Sequence, residues 1–93
     1  MKFIVNNKLY DTDKAELLCT LKKQWECNTF FGKLYTYRDT NLYKTAKGNY
    51  FLTCKGDCGE SIIEVIGEVD AKNYLMRNNY TKYVELFGAL EEA

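Results

Sequence analysis

The stretch from Lys33 to Ile66 constrains the fold most. It holds three runs rich in Tyr, Leu, Ile and Thr: "KLYTYRD", "NLYKTAKGNYFLTC" and "SIIEVI". Their partial alternation of apolar and polar residues is the period of a strand with one face buried. "AKGN" (Ala46–Asn49) interrupts the second run and supplies Gly48 for a positive φ, so Asn41–Thr45 and Asn49–Cys54 read as a hairpin. "KGDCGE" is the next turn, and Ser61–Ile66 the strand after it, with Glu64 the residue expected to face water. The chain has no proline, so its turns rest on Gly, Asn and Asp.

The flanks follow the same logic. "KFIV" and "KLYD" are short strand candidates on either side of Asn6-Asn7, and asparagine tolerates positive φ. Residues Asp13–Trp25 fit two patterns. Leu17, Leu18, Leu21 and Trp25 form a helical stripe, and Asp13 with Glu16 imitates a capping box. Leu17, Cys19, Leu21 and Trp25 also alternate, broken at Lys23, while the Ala, Glu, Leu, Lys and Gln content favours helix. Cys27–Gly32, with two Phe, reads as a connection.

After Gly67 the pattern turns helical. Val69, Ala71, Tyr74 and Leu75 give an apolar side, and Glu68 and Asp70 sit where the helix dipole favours acids. "RNNY" breaks this helix. Thr81 is the expected cap of a second one, with Tyr83, Val84, Leu86 and Phe87 apolar and Gly88 its stop. Strands first and helices last predict one α+β domain over residues 1–93, a small antiparallel sheet of about four to five strands with two short C-terminal helices on one face. Aromatics at 15% supply the core of so short a chain.

Composition excludes some chemistry. Histidine is absent and Ser61 is the lone serine, which removes imidazole acid–base work and a Ser-His-Asp triad. No spacing marks a catalytic pair of carboxylates, so a non-enzymatic role is expected. Net charge is zero but uneven: +1 over residues 1–30, +4 over 31–56 and −5 over 57–93. No apolar segment resembles a signal peptide or a membrane span, which makes the cytoplasm the expected location.

Cys54 and Cys58 stand four apart in "TCKGDCGES". They fit three readings. With Cys19 and Cys27 they would form an all-thiolate zinc site. As a pair they would be redox-active. Otherwise they are small apolar side chains behind a Gly56-Asp57 turn, with no cofactor at all.

Three landmarks together carry a resemblance: "KLYDTDKA" (Lys8–Ala15), "LYKTAKGNYFL" (Leu42–Leu52) and "YVELFG" (Tyr83–Gly88). In that combination the chain resembles a set of small, mostly uncharacterised proteins of bacterial mobile elements and phages. The resemblance spans most of the chain and departs at "TCKGDCGES", where such proteins carry a longer Gly-rich loop. It implies strand for Glu16–Gln24, against intrinsic propensity. It also implies an accessory or inhibitor role, including anti-CRISPR-type inhibition, with a host-defence nuclease as protein partner. No catalytic residue comes with it.

Candidate partner-binding residues are Tyr35, Tyr37, Arg38, Lys44, Lys47, Glu60 and Glu64, because tyrosine concentrates interface energy and complementary charge speeds encounter. The alternative is nucleic-acid contact through the Tyr/Lys-rich middle, where bases would stack and phosphates pair. A small sheet also leaves an edge strand through which two copies would pair as a homodimer.

Overall fold

Asn6 and Asn7 both adopt positive φ, 51° and 62°, the backbone of a tight primed hairpin turn. They join β1 (Lys2–Val5) to β2 (Lys8–Asp11) in a two-stranded sheet. A computed structural model describes all residues, Met1–Ala93.

The second sheet is an antiparallel meander in the order β3 (Glu16–Thr29), β4 (Gly32–Lys44), β5 (Tyr50–Lys55), β6 (Ser61–Ile66). The segment from Glu16 is thus strand, and it runs to Thr29. Cys27–Thr29 belong to it, so the expected connection shrinks to Phe30 and Phe31. "KLYTYRD" and the start of "NLYKTAKGNYFLTC" form one continuous strand. Two helices close the chain, α1 (Glu68–Asn78) and α2 (Tyr80–Phe87).

The helices cover one face of this sheet. Leu18, Leu21, Leu42, Leu52, Cys54, Ala71, Leu75 and Tyr83 share its core. The first hairpin reaches the other face, where Phe51 is fully buried, edge-on to Tyr10 (centroids 5.3 Å) and stacked on Tyr43 (5.1 Å). Aromatic contacts of this kind add to plain area burial.

A bulge explains why both readings of Leu17–Leu21 looked plausible. The register slips between Leu17 and Cys19, so Leu18, Cys19 and Leu21 are all buried and Leu17 is left exposed. The Leu18 carbonyl accepts a hydrogen bond from Asn79 Nδ2 (3.1 Å), while Asn79 Oδ1 accepts the Lys82 N–H (3.2 Å). Asn79, and not Thr81, is therefore the α2 cap, and it ties that cap to the bulge. Gly88 ends α2 with φ 91°, as expected.

One further expectation is corrected. Val69 is exposed; the buried side of α1 is Ala71 and Leu75. Glu64 is exposed as expected and pairs with Lys23 (3.4 Å), and Val65, on the opposite face of β6, is exposed as well. No helix is long and apolar enough to cross a membrane.

Candidate functional site

β5 pairs with β4 only from Thr40 to Lys44, whereas β3 pairs with β4 all the way to Gly32. The distal half of the β3–β4 hairpin therefore projects past the rest of the sheet as a two-stranded arm, and the longest dimension of the molecule is 48 Å. At its tip Phe30 and Phe31 keep negative φ, and the reversal falls on Gly32, φ 113°, which a side chain would strain. Thr29 Oγ1 donates to the Gly32 carbonyl (2.7 Å) and closes the turn. Phe30 and Phe31 are 97% and 94% exposed and touch only edge to face (5.4 Å).

The arm has two distinct faces. On the face away from the helices, Tyr35 (62% exposed) and Tyr37 (69%) stand opposite Glu26 and Gln24. Cross-strand ion pairs bracket them: Lys33 with Glu26 (3.0 Å) and Lys22 with Asp39 (3.4 Å). The arm's own charges are thus largely satisfied within it, and its tyrosines are the unsatisfied apolar surface.

On the helix-side face a polar network fixes the root. The Trp25 indole N–H donates to Thr40 Oγ1 (2.9 Å), which donates to the Arg38 carbonyl (3.0 Å). The Lys23 ammonium lies 4.4 Å above the Trp25 ring. Arg38 then spans to the β5–β6 turn: Nη1 meets Asp57 Oδ1 (3.1 Å) and the Lys55 carbonyl (3.2 Å), and Nη2 donates to Cys27 Sγ (3.2 Å). These bonds, to Cys27 first and then Asp57, hold the guanidinium above its ordinary value. Its Nε is buried without a partner. Arg38 is a strut between the arm and the turn.

The seven expected partner-binding residues do not form one surface. Tyr35 and Tyr37 lie together on the arm. Arg38 is turned to the opposite face and engaged. Glu60 folds back to accept the Cys58 N–H (3.0 Å), closing the turn over Gly56, where a Cβ would strike its carboxylate. Glu64 is held by Lys23. Lys44 and Lys47 flank the β4–β5 turn at the far end of the hairpin. There Lys47 joins Lys8, Lys14, Asn7, Thr45 and Asn49 around an open cavity of about 620 Å³. The expected partner-binding set omits Phe30 and Phe31; the signal is "FFG", two large apolar residues placed directly against a glycine turn.

The four cysteines do not assemble. No three Cys, Asp, Glu or His side chains come together as a metal site. Cys19 and Cys54 are buried thiols pushed up by desolvation, Cys27 is half-buried beside Arg38, and Cys58 is exposed on the turn. The thiols behind the turn are thus one buried and one exposed.

No family model, curated protein or solved structure matches the chain. Fold and site define it as a small α+β protein whose distinguishing feature is an aromatic hairpin arm.

Proposed function

We propose that this chain is a non-enzymatic protein-binding module that docks a protein partner with the arm, through Tyr35, Tyr37 and the Phe30-Phe31 tip. The observation that carries this reading is the near-complete exposure of Phe30 and Phe31 at the end of a projecting, internally charge-paired hairpin. Large apolar side chains held in water cost solubility unless they meet a surface. Tyr and Phe on a rigid strand lose little entropy on contact. The resemblance to small proteins of mobile elements and phages supports an accessory or inhibitor role, with a host-defence nuclease as the partner class and anti-CRISPR-type inhibition as one form of it.

A panel of purified host-defence nucleases tests this by interferometry and by nuclease activity. Binding by the wild type, weakened ~30-fold or more in Tyr35→Ser/Tyr37→Ser, is the expected result for hot-spot tyrosines. No binding across the panel, or equal binding by the double variant, overturns it.

The nucleic-acid reading retains one specific support. Lys8, Lys14 and Lys47 line the far cavity and form no ion pair. Salt-dependent retention on single-stranded RNA or DNA, lost in Lys14→Ala/Lys47→Ala, would move the binding face from the arm to that end.

A further inference from the structure

β3 is the outer strand of its sheet, bonded to β4 on one side and to no strand on the other. Part of its outer edge is occupied. Asn79 holds the Leu18 carbonyl, and Lys82 holds Glu16 (2.6 Å). At the other end the strand stops at Thr29. The open stretch is Cys19–Thr29, eleven residues, and its midpoint is Gln24. No proline and no bulge interrupts it; of the usual guards of an exposed edge it carries only charged side chains, Lys22, Lys23 and Glu26.

We propose that two copies of this chain form a two-fold dimer in which their Cys19–Thr29 edges pair antiparallel about Gln24, giving one continuous eight-stranded sheet. The charge pattern selects both the occupant and the register. About Gln24, Lys22 of each copy falls opposite Glu26 of the other. Within each copy, on that same face, Lys22 already pairs with Asp39 and Glu26 with Lys33. The junction therefore lines up Asp39 and Lys22 of one copy with Glu26 and Lys33 of the other, alternating in sign across four strands, and it does so twice. Moving the axis two residues toward the base sets Lys22 against Lys22. Moving it two residues toward the tip sets Glu26 against Glu26. Like charges directly opposite destabilise a strand pair, so of these three registers the central one is favoured.

The pairing satisfies roughly ten main-chain hydrogen bonds that otherwise rest on water. It also supports an arm that is only two strands wide, a width at the limit of stability in water. The axis is perpendicular to the sheet, so both helix pairs lie on one side and both Tyr35-Tyr37 pairs on the other. Each tip continues past Cys19 of the second copy and brings Phe30 and Phe31 beside its exposed Leu17. The dimer stands independently of the docking reading: it uses the edge, and docking uses a face.

Light scattering on a sizing column tests it with two single variants, Lys22→Glu and Glu26→Lys. The wild type is expected at twice 10.9 kDa. Each variant alone places like charges at both crossings and is expected at the monomer mass. An equimolar mixture restores opposite charges at both crossings and returns a dimer. A wild type that stays monomeric at millimolar concentration overturns the proposal, as do variants that dimerise alone as well as the wild type. Should circular dichroism show either variant unfolded, Gln24→Cys in a Cys58→Ser background decides. That thiol sits on the axis and is expected to form an interchain disulfide on mild oxidation, whereas Asn28→Cys, off the axis, does not. Equal cross-linking of the two refutes the register.

Discussion

The two halves of the β3–β4 hairpin share one register and one pleat, yet they live in different environments. At the base, Leu21, Thr40 and Leu42 are buried between α1, α2 and β5. In the arm, Leu34, Tyr35 and Tyr37 repeat the same alternation and face water. The difference is coverage. The base has a helical layer on one face and the first hairpin on the other, and β5 on its flank. Beyond Trp25, which is still buried in the core at the root, the arm has none of these, because β5 ends at Lys55. Alternation thus specifies a strand and its two faces, while the lengths of neighbouring elements decide which face becomes core. Apolar residues beyond that cover are available for contact with other molecules.

The largest effect expected from this contrast comes from removing one phenylalanine in each half. Phe51→Ala empties a fully buried site between Tyr10 and Tyr43 and should cost ~3–5 kcal/mol. That is a large share of the ~5–15 kcal/mol typical of a domain. Phe31→Ala removes a side chain already in water and should stay within ~0.5 kcal/mol. Urea titration at low protein concentration measures both. Comparable losses would mean that the arm packs against something, and the contrast would fail.

Arg38 is the link between the halves, and its removal should give an intermediate effect. Arg38→Ala deletes bonds to Asp57, the Lys55 carbonyl and Cys27. Asp57 is mostly exposed, so the ion pair itself is screened. A loss smaller than that of Phe51→Ala and larger than that of Phe31→Ala is expected, mainly from the bonds to the Lys55 carbonyl and Cys27. Amide exchange should quicken in residues 23–38 and not in β5 or β6. Unchanged protection along the arm would show that the hairpin needs no strut.

Much of the base was legible from the chain and little of the arm. Asn6-Asn7, "AKGN" and "KGDCGE" are turns with a backbone reason, so three of the hairpin junctions could be placed. Thr29–Gly32 lacks the usual Asn-Gly chemistry. Its two phenylalanines read as part of a longer linker, which shortens the strands expected on either side. The capping residue was misplaced because Thr81 and Asn79 are both good caps. Only the contact to Leu18, sixty-one residues away, selects Asn79. The candidate site suffered for the same reason. Residue type groups Tyr35 and Tyr37, which are exposed, with Arg38, Glu60 and Glu64, whose charges are spent on intramolecular partners. Whether a charge is free is a tertiary fact.

Alkaline pH should give the mildest and most gradual effect, and it acts on the base. Burial pushes up the thiols of Cys19 and Cys54 and the phenols of Tyr50 and Tyr74. Lys82 is raised by its hydrogen bond to Glu16, which joins α2 to β3. All five groups hold their protons more tightly folded than unfolded. The unfolded chain therefore releases protons first, beginning near the ordinary thiol value of 9.0, then the tyrosine value of 10.0 and the lysine value of 10.5. Their stabilisation is complete below that window and is lost as pH climbs through the folded values. Melting temperature should be flat from neutrality to about pH 8.5 and then decline. Lys82→Met should remove the uppermost part of the decline and leave its onset unchanged. A melting temperature that rises above pH 9.0 would reverse the sign for the buried thiols, and would mean that Cys19 and Cys54 are not enclosed by the layers that distinguish base from arm.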